Sequence, residues 1–141
     1  MPNYCSNTVR IGANEDTVKK LLNAELSFEV LLPCPQDEED WYEWNMKHWG
    51  TKWDRTDFEV KAQGLKGFEA RFTTAWAPPF AFLKKLCAQH HDIWLKCDWN
   101  EEGGYAGVFI LYWDEEKGEV NTKSLEWMDW CMEEWADRFG H

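Results

Sequence analysis

Two kinds of apolar spacing, punctuated by Gly and Pro, predict an α+β domain with an antiparallel sheet and helices on one face. Single alternation is clearest at Gly67–Thr74 and Ile93–Trp99, and helical spacing at Val18–Leu22 and Phe82–Cys87. A chain of 141 residues and 16.8 kDa carries this pattern as one domain, 1–141, with a hydrophobic core of its own.

Asn7–Ile11 sets Val9 and Ile11 opposite Thr8 and Arg10, a short strand that stops at Gly12. Asn14 is placed to cap a helix with Glu15 and Asp16 in its first turn, where negative charge suits the helix dipole. That helix ends near Glu25. Phe28, Val30 and Leu32 alternate, so Leu26–Leu32 is expected as a second strand, ended by Pro33 and Pro35. Residues 36–54 form a Trp-rich helical insertion. Asp37-Glu38-Glu39-Asp40 opens its helix, Trp41, Trp44 and Met46 follow, and Gly50 turns the chain.

Phe58–Ala62 and Gly67–Thr74 form a hairpin around Gln63-Gly64-Leu65-Lys66, with Phe68, Ala70 and Phe72 facing inward. Pro79 suits the first turn of a helix whose stripe is Phe82, Leu83, Leu86 and Cys87, ending near His90. Ile93–Trp99 and Tyr105–Trp113 are strands joined by Glu101-Glu102-Gly103-Gly104. After the turn Glu115–Gly118 comes a short extended piece at Val120. Ser124 then caps an added C-terminal helix over 124–139, with Glu126 in its first turn. Without the insertion, the order is a β-α-β-β-α-β core with an antiparallel sheet, a ferredoxin-like sandwich.

Composition excludes several functions. Lys and Arg number 15 against 26 Asp and Glu, a net charge of −11, so a polyanion would find no basic stripe whose binding releases its counterions. Direct nucleic-acid binding and docking on anionic lipid are both disfavoured. No apolar run approaches the roughly 20 residues that span a bilayer, and the N-terminus lacks a secretory pattern. Five scattered cysteines fit reduced thiols, so the expected location is the cytoplasm.

Motifs for catalysis are missing from the sequence. There is no Gly-x-Ser-x-Gly elbow and no phosphate loop, and 26 carboxylates discriminate no acid–base pair. Cys87-Ala88-Gln89-His90 has zinc-like spacing but no second ligand pair, so no metal and no cofactor are expected.

Five groups of residues together resemble a known family. They are Pro2-Asn3-x-Cys5-x-Asn7, Trp41-Tyr42-x-Trp44-Asn45, Trp49-Gly50-Thr51-Lys52-Trp53-Asp54, Thr74-Ala75-Trp76-x-Pro78-Pro79 and Glu101-Glu102-Gly103-x-x-Ala106-Gly107. In this order, over residues 1–113, they are similar to the YubB-type ferredoxin-like family of phage and plasmid proteins. Tyr4 stands where that family is expected to carry Trp. The resemblance implies a viral or mobile-element accessory protein, and it supplies no reaction.

Two surfaces are then candidates for binding. From Asp98 onward 12 acids face three bases, a local charge of −9. The C-terminal segment adds Trp127 and Trp130 to Glu126, Glu133 and Glu134. Indoles beside carboxylates suit a basic host protein, such as a nucleic-acid-binding defence complex of the restriction or CRISPR type, which the protein would occupy and block. A homodimer through the same indoles is also compatible. The alternative is a nucleotide-binding pocket lined by Trp41, Trp44, Asn45, Trp49, Lys52, Trp53, Asp54 and Trp76, since indoles stack flat bases. Against both stands the plainer use of indoles as packing and of acids as a solvated face.

Overall fold

A computed structural model of the chain describes residues 3–126, with side chains as far as Ser124. In chain order the elements are β1 (Tyr4–Gly12), α1 (Glu15–Asn23), α2 (Phe28–Leu31), α3 (Trp41–His48), β2 (Thr56–Gly64) and β3 (Gly67–Ala75). They continue with α4 (Phe80–Gln89), β4 (Trp94–Glu101), β5 (Ala106–Asp114) and β6 (Glu119–Glu126). The strands form one antiparallel sheet in the order β2-β3-β1-β4-β5-β6. β1, α1, β2, β3, α4 and β4 make the β-α-β-β-α-β core, and β5 and β6 widen the sheet beyond β4.

Alternation decides which face is covered. Val9, Ile11, Phe68, Ala70, Phe72, Leu95, Cys97, Phe109 and Leu111 point to one side and are buried. Val18 and Leu21 of α1 and Phe82, Leu83, Leu86 and Cys87 of α4 complete the same cluster. Arg10, Arg71 and Asp98 lie on the opposite face, which also carries Trp94, Val108, Ile110 and Tyr112 of β4 and β5. A satisfied polar group fixes the register at the centre. Asn7 Nδ2 donates to Thr74 Oγ1 (3.0 Å) and to the Cys5 carbonyl (3.2 Å), and the Cys5 and Cys97 thiols donate to Asn7 Oδ1. Slipping β1 by one residue would strand that amide, at a cost of about 1–3 kcal/mol.

The structure departs from the sequence expectation in three places. Leu26–Leu32 is not a strand. Glu25 and Leu26 both take positive φ (51° and 52°), closing α1 through hydrogen bonds to Leu22 and Leu21. Ser27 then caps α2, its side chain accepting from the Val30 N–H. Phe28 is buried and Val30 exposed, so the alternation there marks a helical turn. Sheet position and hydrogen bonding instead go to the more distant Thr56–Gly64.

The second departure is at Ser124, which does not start a helix. Residues Glu119–Glu126 continue as β6, with Phe109 opposite Ser124 and Gly107 opposite Glu126. β5 is a long strand with β4 on one side, and its other row of backbone groups needs a partner. The Asp114–Gly118 turn supplies one by folding Val120 and Thr122 back alongside. The remainder of the expected helix, from Trp127, lies outside the described residues. Third, Asn14 makes no side-chain cap; its backbone N–H instead donates to Asp92 Oδ2 at 2.9 Å.

Candidate functional site

The segment Trp49-Gly50-Thr51-Lys52-Trp53-Asp54 lies between α3 and β2, and four of its six residues have structural work. Trp49 is buried against Phe28 and Trp44, and its Nε1 donates to the Leu32 carbonyl at 2.8 Å. Gly50 has φ +81°, and a Cβ there would sit 3.3 Å from the backbone nitrogens of Phe80 and Ala81. The Thr51 hydroxyl donates to the Ala75 carbonyl (2.8 Å) and accepts from the Ala75 N–H (3.1 Å), locking the loop to the end of β3. Asp54 accepts from Ser27 Oγ (2.7 Å) and from the N–H groups of Phe28 (2.9 Å) and Glu29 (3.2 Å), at the start of α2.

Lys52 and Trp53 remain. The Lys52 backbone is pinned, since its carbonyl accepts from Asn45 Nδ2 at 2.8 Å. Its ammonium lies over three rings, 5.2 Å from the centroid of Trp53, 5.4 Å from Trp76 and 5.8 Å from Tyr42. All are within cation–π range. Tyr42 packs edge-on to Trp76 and Trp41 at 6.2 Å each. Trp41, Tyr42 and Trp76 stay open to solvent, at 51%, 41% and 37% exposure.

Three elements build this cluster. Asp40 caps α3 by accepting from the Glu43 N–H (3.0 Å), and so aims Trp41 and Tyr42. Thr51 carries the loop to β3. Trp76, at φ 67°, turns the chain out of β3, its N–H held by the Asn3 carbonyl at 2.8 Å. A left-handed conformation at a bulky residue costs roughly 1–3 kcal/mol and persists only where its surroundings impose it.

Of the eight residues expected to line a pocket, the structure brings together Trp41, Lys52, Trp53 and Trp76. Trp49 and Asp54 serve the core and a helix cap. Trp44 is half-buried, stacked on His48 at 4.3 Å and packed on Trp49. Asn45 is buried and holds Lys52 from behind, its Oδ1 without a hydrogen-bond partner. Tyr42 belongs to the site and was missed; its only signal was its place beside Trp41. Of the acidic candidates, Glu126 falls at the end of β6, while Trp127, Trp130, Glu133 and Glu134 lie outside the described residues.

Among the described residues no three His, Cys, Asp or Glu side chains converge as a metal site. Burial pushes the Cys5 and Cys87 thiols up to about 12, and Cys97 well above its ordinary value, which keeps all three protonated and non-nucleophilic. Cys87 is buried, whereas His90 sits against Lys20 (3.3 Å) and His91 stacks on Trp113 (3.7 Å). No helix among the described residues is long and apolar enough to cross a membrane.

Sheet order, helix placement and core thus define an α+β domain of the ferredoxin-like class, carrying an aromatic surface on its insertion. The chain belongs to the family described as the ferredoxin-like domain in Api92-like protein, which it matches over residues 48–139. The matched stretch takes in the Lys52 loop and β2–β6. It runs past Trp113, where the motif resemblance stops. No curated protein and no solved structure matches the chain.

Proposed function

We propose that the protein is a non-enzymatic accessory protein of the YubB-type phage and plasmid kind, which binds a host protein and blocks it. The observation that carries this reading is the exposed aromatic surface of Trp41, Tyr42 and Trp76, with Lys52 over the last two rings. Large rings left in solvent beside charge are the usual anchors of protein interfaces. Directly before Trp41 stands the exposed acidic run Asp37-Glu38-Glu39-Asp40, which suits a basic partner such as a nucleic-acid-binding defence complex. Glu126, Trp127, Trp130, Glu133 and Glu134 enter the reading through sequence alone. The protein would act in the cytoplasm of the host cell.

Co-purification from host lysate at low and high salt tests the reading. One host protein should be retained, its binding weakened by salt and by the double variant Glu133→Lys/Glu134→Lys. Retention of no protein at low salt, or retention indifferent to both, contradicts it.

A second reading, sequestration of a nucleotide, is favoured by the same ammonium. A base stacked on Trp53 or Trp76 would leave its phosphate within reach of Lys52. Nucleotide titration followed by tryptophan fluorescence and melting temperature tests it; a flat response for all nucleotides removes it.

A further inference from the structure

We infer that the three-ring cluster is a receptor for a cationic side chain on a Lys- or Arg-rich segment of the partner protein, with Lys52 as its resident occupant until displaced. This inference rests on the proposed reading of the aromatic surface as a contact surface, and it names the chemistry that surface would take. Tyr42, Trp53 and Trp76 come from a helix, a loop and the end of a strand, so local sequence alone does not gather them. The protein bears the strain of a left-handed Trp76 to complete the arrangement.

The resident shows what the rings accept. Lys52 Nζ is 5.2 to 5.8 Å from the three centroids, near the outer limit of about 6 Å, so the cation is held loosely. Among the described residues Lys52 forms no ion pair that would resist its departure. Its backbone is fixed by Asn45, and its four-carbon stem is free to swing the ammonium into water. A guanidinium is broader, planar and less strongly hydrated, and it can lie against two of the rings at once. Charge complementarity comes from the exposed acids Asp37, Glu38, Glu39 and Asp40 beside Trp41, in a molecule of net charge −11.

Titration calorimetry of the full chain with a short Arg-rich peptide, and with a Glu-rich peptide of equal length, provides the test. Tyr42→Ala, at an exposed helix position, should weaken Arg-peptide binding about threefold or more, the loss of one cation–π contact. Trp76→Gly removes a ring while keeping the left-handed backbone, and should weaken it similarly. Lys52→Ala vacates the receptor and should tighten binding several-fold. Lys47→Ala, on α3 rather than in the loop, makes the same charge change away from the rings and should leave affinity near the wild-type value.

The inference is overturned if Lys52→Ala weakens binding or leaves it unchanged, if Lys47→Ala tightens it equally, or if both ring variants bind as the wild type does. Preference for the Glu-rich peptide overturns it too. A nucleotide site gives the opposite sign, because Lys52→Ala would then remove the phosphate's partner. Should these variants fail while a host protein is still captured in a salt-dependent way, the inference falls and the proposed function stands. Capture of no host protein, with the peptide results as expected, has the reverse meaning.

Discussion

Asp54 illustrates how one side chain settles the conformation of a distant segment. Its carboxylate takes three hydrogen bonds from Ser27, Phe28 and Glu29, so a run that alternates like a strand closes instead into α2. Asp54→Ala should destabilise the protein by about 2 kcal/mol in urea unfolding, the range for a lost charged helix cap. His90 provides a second expectation. Burial, and then the nearby Lys20 ammonium, lower its pKa below the ordinary value. A base depressed in the folded state binds fewer protons than in the unfolded chain, so stability rises with pH across that window. Acidification from about pH 7 towards 5 should therefore reduce stability through His90, and His90→Gln should flatten that part of the pH–stability curve. At lower pH Asp92 acts with the same sign. Despite a desolvation cost, the Asn14 N–H and the Thr17 hydroxyl hold its carboxyl below the usual range, and that stability is lost as the carboxyl protonates.

Elements whose periodicity and packing agree were legible from the sequence. Phe68, Ala70 and Phe72 of β3, and Phe82, Leu83, Leu86 and Cys87 of α4, are buried as their spacing predicts. The misread elements are those decided by partners outside their own segment. α2 depends on the distant Asp54, whereas β6 extends beyond Val120 because it pairs along the whole free edge of β5. The site was partly legible for the same reason. An indole that packs and one that faces solvent look alike in sequence, and the Thr51–Ala75 lock is what brings Trp53 and Trp76 together. Two glycines measure the difference between local and tertiary constraint. Gly118 has φ +64° with open space around its Cβ position, so Gly118→Ala should cost about 1 kcal/mol. Gly50→Ala adds a close approach to the backbone of α4 and should cost clearly more, on the order of 2–4 kcal/mol by thermal or urea unfolding.

Among the described residues, labour is divided between a closed sandwich and the exposed aromatic surface around Tyr42 and Trp76. The core of β1, β3, β4 and β5 under α1 and α4 is complete without Tyr42, Lys52 or Trp76. Side chains that the fold does not need, yet holds in place at the cost of a strained backbone, are the strongest candidates for contact with something else. Stability and binding should therefore respond to different residues. The most direct measurement is the affinity of the Tyr42→Ala/Trp76→Gly double variant for the host protein that the wild type retains, with melting temperatures recorded in parallel. Affinity should fall about tenfold or more while melting stays within a few degrees of the wild type. Undiminished affinity, or a fall fully matched by loss of the folded state, would contradict a binding role for this surface.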